Sequence, residues 1–429
     1  MRRRLAVVTV GCKANFADSA GIASIAVRAG FELVPETVQA DVLIVNSCTV
    51  TRKADRDSRA LARRLRRGNP RAVVVMTGCY ARMATGDRDA LPEVDHWVGG
   101  GDPEALPRLL ASLAGAGGPP GEEPSLAVVD RLLGHTRTFL KIQDGCDAAC
   151  AYCIVPKARG PGRSVPLGEA VESACRAERD GAREIVLTGI HAGRYGADRG
   201  EADGLAMLLE ALLSATSIAR FRLGSVEPRE ITPRLVGMLA AGRRVCPHLH
   251  VPMQSGSDAV LRRMRRPYTR IEYREKLQAI GSAVPGIRLG ADVIAGFPGE
   301  TERDFKETLL GIAECPLSYL HAFPYSPRPG TESAGWPDDV TPAEKKRRVA
   351  LLREADGGMR GKYLEGQVGR TLAVIAESET ARDGIREMRG TSENYVEVAF
   401  PGEGKAAGVI VPVRILSVAG GTLRGEAWG

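Results

Sequence analysis

Residues 138–160 read TFLKIQDGCDAACAYCIVPKARG, a short β-rich run followed at once by Cys146-x-x-x-Cys150-x-x-Cys153. Three thiols within eight residues can wrap one compact metal site, and their number matters. A structural zinc site takes four ligands, and no second C-x-x-C exists in the chain to complete one. A [4Fe–4S] cube also usually takes four thiolates, so three would leave one iron open. The placement just after a strand, at the head of an alternating β/α block, matches where such folds carry their sites.

An open iron is useful when a second molecule supplies the missing ligand. The amine and carboxylate of an amino acid can chelate it, and S-adenosylmethionine carries both. Tyr152, between the last two cysteines, has packing as its plain reading.

Downstream, strand candidates recur at Ile185–Thr188, Arg220–Leu223, His248–Val251, Leu289–Ile294 and Ser318–Phe323, after Thr138–Ile142. Amphipathic helical stretches such as Leu205–Leu213, Arg270–Ile280 and Glu302–Ile312 separate them. Six βα units over residues 132–363, closed by a charged helix from Thr341 to Leu364, predict a partial (βα)6 barrel. Upstream, residues 1–115 alternate in the same way and predict a smaller parallel α/β domain. Its strands Leu5–Val10, Val42–Asn46 and Ala72–Met76 run into Cys12, Cys48 and Cys79, and its helices are Asp18–Arg28 and Lys53–Arg67. The Gly/Pro-rich segment around AGAGGPPGEEP makes 116–131 a linker. Residues 364–429 change character: Leu372–Ala376, Tyr395–Phe400, Val409–Ile415 and Leu423–Glu426 predict a small β-barrel of oligonucleotide-binding type.

Cys12, Cys48 and Cys79 are far apart in sequence, yet each lies just past a strand of one predicted sheet. Parallel strands bring such ends side by side, so the three thiols are expected to meet at a second cluster, again one ligand short. Scattered buried cysteines are the plainer alternative. Cys175, Cys246 and Cys315 lack the regularity and read as small buried residues.

The 429 residues are 44% hydrophobic and 26% charged, which suits a multidomain globular protein and excludes a disordered or collagen-like chain. Arg2-Arg3-Arg4 precedes an apolar run too short for a signal peptide, and no run approaches the ~18 apolar residues of a membrane span. A cytoplasmic protein without membrane contact is expected. Nine cysteines, an odd set, argue against a disulfide framework there. The net charge of +7 suits a polyanionic partner without establishing one.

Linked motifs carry a specific resemblance: Gly11-Cys12-Lys13-Ala14-Asn15 with Asp18-Ser19, Asn46-Ser47-Cys48-Thr49-Val50, Thr77-Gly78-Cys79, Lys141 to Cys146, Cys153-Ile154-Val155-Pro156, Ala158-Arg159-Gly160-Pro161, Leu187 to His191, His248 to Asp258, Ala291 to Thr301 and His321 to Thr331. The C-x-x-x-C-x-x-C loop resembles the radical SAM superfamily, and the whole set resembles its methylthiotransferases. The resemblance implies an N-terminal domain with an auxiliary [4Fe–4S] cluster on Cys12, Cys48 and Cys79, a radical SAM barrel with a [4Fe–4S] cluster on Cys146, Cys150 and Cys153, and a C-terminal TRAM domain. It further implies that one S-adenosylmethionine methylates a sulfur held at the auxiliary site, and that a second is split to a 5′-deoxyadenosyl radical.

Lys13 in the G-C-K-x-N opening is similar to the branch that places methylthio on C2 of N6-threonylcarbamoyladenosine-37 in the tRNA anticodon loop; the isopentenyladenosine branch usually has Gln there, and the ribosomal-protein branch opens G-C-P-K. Adenine C2–H is neither acidic nor electrophilic, so radical chemistry suits it, and a base in a single-stranded loop is cheapest to unstack. Sulfur-donor and electron-donor proteins are further implied partners. Two rivals stand beside this reading: a methylthiotransferase acting on a ribosomal-protein aspartate, and a non-catalytic iron–sulfur redox protein, against which two sets of three ligands argue.

Beyond the cluster cysteines no catalytic residue is assigned. Thr188, Ser225, Glu227 and Gln254, at strand ends or turns, are candidate S-adenosylmethionine contacts. Glu300 and Thr301 follow a Gly296-Phe297-Pro298-Gly299 turn, where a helix cap explains them equally well. His248 and His250 share a strand face, but no further His or Asp joins them with ligand spacing, so lining the barrel is their expected role. The basic stretches Arg52–Arg71 and Arg262–Arg266 suit either phosphates or a solvated face. Residues 365–429 hold seven Lys/Arg against nine Asp/Glu, so an RNA role for them would rest on shape or a local patch.

Overall fold

Three consecutive β-branched runs, each followed by a helix, give the N-terminal sheet. The computed structural model describes residues 2–84, 86, 88, 90–100, 102–115, 124–242, 244–382, 385–402 and 406–428. Strands β1 (Arg4–Thr9), β2 (Glu32–Leu33), β3 (Val42–Ser47), β4 (Val73–Thr77) and β5 (His96–Val98) form one parallel sheet in the order β2-β1-β3-β4-β5. All six side chains of β3 are buried, as a central strand covered on both faces requires. Helix Arg52–Gly68 is capped by Thr51, which accepts from the Ala54 N–H, and it buries Ser58, Leu61, Ala62 and Leu65 along one stripe.

The expected linker 116–131 falls outside the described residues over 116–123. Most of its remainder is helix Leu126–Leu132, started by a Ser125 cap and packed against the helix Lys13–Arg28 and the next sheet.

The second unit contains β6 (Thr138–Asp144), β7 (Arg163–Ser164), β8 (Glu184–Gly189), β9 (Arg220–Leu223), β10 (His248–His250), β11 (Arg288–Ala295) and β12 (Tyr319–Pro324). Two sheets, β7-β6-β8-β9 and β10-β11-β12, are joined by parallel bridges Phe221–Val245 and Ser225–His250. Apart from short antiparallel β7, the strands run parallel, which is the open six-stranded barrel expected. Alternation sorts its faces. Leu140, Ile185, Phe221, Leu249 and Leu289 join the outer core under the helices. Glu184, Arg222, His248, His250 and Tyr319, one register away, occupy the lumen side instead.

The C-terminal unit is a closed five-stranded barrel of β13 (Thr371–Arg382), β14 (Ile385–Ser392), β15 (Glu397–Pro401), β16 (Ile410–Ala419) and β17 (Thr422–Ala427), in the order β13-β14-β15-β17-β16. It adds β14 to the four expected strands. That strand reads IREMRGTS, with few β-branched residues and a Gly, so its propensity was low and pairing with β13 and β15 decides it.

This barrel plugs the strand-start end of the second unit. Arg220 donates to the Ala373 and Thr391 carbonyls at 2.6 and 2.9 Å, and Arg222 to those of Glu393 and Ser392 at 2.9 and 3.0 Å. Both guanidinium groups also grip Glu184, at 2.5 and 2.7 Å, in a fully buried network. Buried charges persist only when paired and hydrogen-bonded, and each of these is.

Candidate functional site

Register does for the N-terminal cysteines what sequence spacing cannot. Asn46 pairs with Thr9 on one side and Thr77 on the other, so the ends of β1, β3 and β4 lie abreast with Cys12, Cys48 and Cys79 just beyond them. Two glycines permit the close approach. A Cβ on Gly11 (φ +124°) would lie 2.8 Å from Cys48 Cβ and 2.9 Å from Asn15 Nδ2. One on Gly78 (φ +87°) would lie 2.5 Å from both Asn46 Oδ1 and the Ser47 carbonyl. Buried Asn15 laces the loops, donating to the Val10 carbonyl at 2.8 Å and to that of Ser47 at 3.1 Å.

The second triad is built on the loop after β6. Gly145 (φ +72°) makes its turn against Pro161, whose carbonyl oxygen would be 1.9 Å from an added Cβ. Gln143 donates to the Gly145 carbonyl at 2.8 Å and accepts from the His191 N–H at 2.8 Å. Donors point at the sulfurs: the Ala148 N–H lies 3.4 Å from Cys146 Sγ, and Arg266 Nη1 lies 3.2 Å from Cys150 Sγ. His191 Nδ1 is 3.3 Å from Cys146 Sγ, and its Nε2 is 2.6 Å from Glu230. Ala151 joins Val260, Met264, Phe297 and Tyr325 in an apolar cluster beneath the loop, and Tyr152 packs edge-on against Phe297.

Arg159, on the short helix Val155–Arg159, joins the two sites. Its Nε donates to Cys79 Sγ at 3.2 Å, Nη1 to Asp144 at 2.9 Å, and Nη2 to Asn15 at 2.6 Å and Asp18 at 2.8 Å. Lys141 bridges the same carboxylates, at 2.5 Å from Asp18 and 3.1 Å from Asp144. Burial would raise the Asp144 carboxyl, but Lys141 and Arg159 outweigh it and hold the group at about 2. Cys79 lines a cleft of about 490 Å³ between the two units, together with Arg82, Arg159 and Arg163.

The donor chemistry of each triad fits an iron–sulfur cube. Burial pushes the Cys48 thiol up to about 11 and that of Cys153 to about 12, so a bound cation is what would hold them as thiolates. Thiols on one zinc ion, at Zn–S about 2.3 Å, sit under ~4 Å apart. Among the described residues the group whose three ligand atoms all lie within 4.8 Å is His250, Asp292 and His321, and neither cysteine triad is that tight. Cys246 and Cys315 are buried elsewhere as expected, whereas Cys175, expected to be buried, is only partly so and rests on the Ala215 carbonyl.

Comparison with known proteins agrees with this geometry. Residues 4–99 match the family described as "Uncharacterized protein family UPF0004", and residues 140–310 match the radical SAM superfamily. The threonylcarbamoyladenosine tRNA methylthiotransferase MtaB of Bacillus subtilis is 36% identical over 95% of this chain and 92% of its own. That of Aquifex aeolicus is 35% identical over 96% of this chain and 100% of its own. The chain belongs to the radical SAM methylthiotransferases. A tRNA-2-methylthio-N(6)-dimethylallyladenosine synthase of Moorella thermoacetica is 32% identical over 99% of this chain and 98% of its own. Among solved structures, the radical S-adenosylmethionine methyltransferase TsrM of Kitasatospora setae superposes with TM-score 0.54 at 14% identity, covering 78% of this chain and 77% of that one, which is a likeness of fold.

As a radical SAM methylthiotransferase, the protein is a transferase working with S-adenosylmethionine and [4Fe–4S] clusters. The remaining residues picked from sequence fall around the methylthiotransferase barrel as follows. Thr188 is buried at the end of β8, and Ser225 is exposed just past β9, bridged to His250. Gln254 takes φ +63° in its turn and bridges to Val293. Glu227 pairs with Arg266, which reaches Cys150, so it is linked to the cysteine loop through that arginine.

Thr301 is a helix cap, in a reciprocal capping box with Asp304, and Glu300 is buried against Arg348 at 2.7 Å. The basic stretch 262–266 divides: Arg265 pairs with Glu332, Arg266 belongs to the site, and Arg262 is exposed. On the helix Arg52–Gly68, Arg63, Arg64 and Arg66 pair with Glu93, Glu36 and Asp95.

The expectation that no His or Asp joins His250 is corrected. Asp292 Oδ1 accepts from His250 Nε2 at 3.0 Å and lies 3.2 Å from His321 Nδ1. These partners come from β11 and β12, and parallel neighbours place residues far apart in sequence on one lumen face. Arg159, Lys141 and Asp18 were the functional residues that sequence reading left without a role. Asp18, Lys141 and Arg159 each stood inside a quoted motif, which was the available signal.

Proposed function

We propose that this methylthiotransferase inserts a methylthio group at C2 of N6-threonylcarbamoyladenosine-37 in the anticodon loop of tRNA, giving 2-methylthio-N6-threonylcarbamoyladenosine. The observation that carries the reading is the single arginine, Arg159, that touches the N-terminal thiol site at Cys79 and the loop of the second at Asp144. Two-site chemistry needs the two centres held at a fixed separation across a unit boundary, and this contact does so.

In this reading Cys12, Cys48 and Cys79 hold an auxiliary cluster, and Cys146, Cys150 and Cys153 hold the cluster that binds S-adenosylmethionine. When bound, these groups supply the electron and the radical that an unactivated C–H bond requires. The chain itself supplies position. Arg266 donates to Cys150 and pairs with Glu227, which lies beyond β9 and in this reading contacts the ribose of S-adenosylmethionine. His191, gripped by Glu230, sits against Cys146. The paired charges Asp18, Asp144, Lys141 and Arg159 keep the two thiol sites in register. Sulfur-donor and electron-donor proteins complete the set of partners. No helix among the described residues is long and apolar enough to cross a membrane, and we place the reaction in the cytoplasm, where tRNA is found.

The choice of threonylcarbamoyl over dimethylallyl rests on more than identity. Relatives of the first name are 33 to 36% identical and those of the second 32 to 34%. Lys13 favours the first. Mass spectrometry of tRNA nucleosides with and without the gene tests the proposal. Loss of 2-methylthio-N6-threonylcarbamoyladenosine, with build-up of its precursor, is expected. An unchanged level overturns it, and loss of the dimethylallyl product or of a ribosomal-protein methylthioaspartate reassigns the substrate.

A further inference from the structure

Lys13 directly follows Cys12 at the start of helix Lys13–Arg28, and its ammonium lies 4.8 Å from the ring centroid of Tyr395, a residue of the C-terminal unit. That ring is held in place from several sides. Tyr395 adopts φ +65°, a conformation that costs a non-glycine residue energy and persists only when its surroundings enforce it. Arg222 and Arg137 lie 4.9 and 5.6 Å from the same ring, His248 packs on it at 4.7 Å, and Arg288 donates to its carbonyl.

Most cations nearby have an acidic partner: Arg137 has Glu377 at 3.0 Å, Arg222 has Glu184 at 2.7 Å, and Lys141 has Asp18 and Asp144. Arg288 is spent on the Tyr395 carbonyl and on the rings of Tyr319 and Tyr363. Lys13 is half-buried, and among the described residues no carboxylate lies within ion-pair distance of it. A half-buried ammonium whose neighbours are a tyrosine ring and other cations favours an incoming anion.

Adjoining residues have Cα atoms about 3.8 Å apart. Lys13 therefore borders the auxiliary site, and a purine that presents C2 to a sulfur held there can turn its N6 substituent toward the Lys13 ammonium. On the lumen side of the barrel His250, His321 and exposed Phe323, in edge or stacked contact, offer rings on which a base can stack.

Building on the proposed function, we infer that Lys13 is the specificity residue that pairs with the carboxylate of the threonylcarbamoyl group. A dimethylallyl group would leave the ammonium without a partner, so the same residue selects against it.

The test measures binding of anticodon stem-loop oligonucleotides by the full-length protein with its clusters in place. Position 37 carries N6-threonylcarbamoyladenosine, its methyl ester, or N6-dimethylallyladenosine. Wild type is expected to bind the acid about tenfold more tightly than the ester, the worth of one charge-assisted contact. Lys13→Gln and Lys13→Met are expected to lose that preference, and Lys13→Arg to keep most of it. Retention of the acid-over-ester preference by Lys13→Gln overturns the inference and leaves the proposed function standing. Failure of wild type to modify the acid oligonucleotide overturns the proposed function instead. Iron content and a thermal melt check each variant; should the variants fail to fold, equal binding of acid and ester by wild type overturns the inference by itself.

Discussion

The guanidinium of Arg159 lies 3.2 Å from the sulfur of Cys79, although the two residues are 80 positions apart and sit on short helices of different units. The same side chain, 8% exposed, holds Asp18, Asp144 and Asn15. With Lys141, which bridges the same two carboxylates, this arginine ties the two thiol sites together.

Removing it should separate alignment from cluster chemistry. Arg159→Ala leaves Asp18 and Asp144 with Lys141 alone, and breaking a largely buried pair typically costs about 3 kcal/mol. Anaerobic denaturant unfolding should show that loss. Reductive cleavage of S-adenosylmethionine should persist while methylthio product falls at least tenfold; parallel loss of both would contradict a bridging role.

The cysteine triads should be separable as well. Cys150→Ala is expected to abolish S-adenosylmethionine cleavage. Cys48→Ala should spare part of it and block sulfur transfer. Iron analysis of each variant should read about four irons per chain against about eight in wild type, as two cubes require.

Gly78→Ala probes the approach that lets Cys79 reach its neighbours. The new methyl group would meet Asn46 Oδ1 and Ser47 backbone atoms at 2.5 to 2.8 Å, at a φ that disfavours any side chain. A loss of at least about 2 kcal/mol follows from strain plus overlap. Auxiliary iron should be lost with it, while the Cys146-Cys150-Cys153 site stays loaded.

Asp130 gives a pH signature. Burial pushes its carboxyl up to about 7, opposed only in part by the Phe139 N–H it accepts at 2.9 Å, and its Oδ1 has no partner. The folded chain therefore binds a proton that the unfolded chain has released, and stability falls as pH rises from about 4 to about 7. Asp130→Asn cannot lose that proton. Between pH 4 and pH 8 the variant should gain on wild type by up to about 4 kcal/mol, read from denaturation midpoints at each pH. A constant gap would refute the assignment.

Much of this is legible in the sequence. The strands ending at Cys12, Cys48 and Cys79, the six-strand barrel rhythm and the C-x-x-x-C-x-x-C loop follow from β-branched runs and short-range spacing, which local chemistry fixes. Strand β14 and helix Leu126–Leu132 were not legible, because their residues have weak strand propensity or stand beside a Gly/Pro-rich run, and tertiary pairing overrides both.

The amino-acid order alone determined which atoms this protein can bring to bear: two sets of three thiols, the glycines that let backbone approach sulfur, and a lysine next to the first of them. Only the folded chain decided which of those atoms meet. Contacts such as Arg159 with Cys79, Lys13 with Tyr395, and His250 with Asp292 and His321 link residues from 42 to hundreds of positions apart. Spacing in sequence carries no record of such distances, because parallel register and the docking of one unit on another set them.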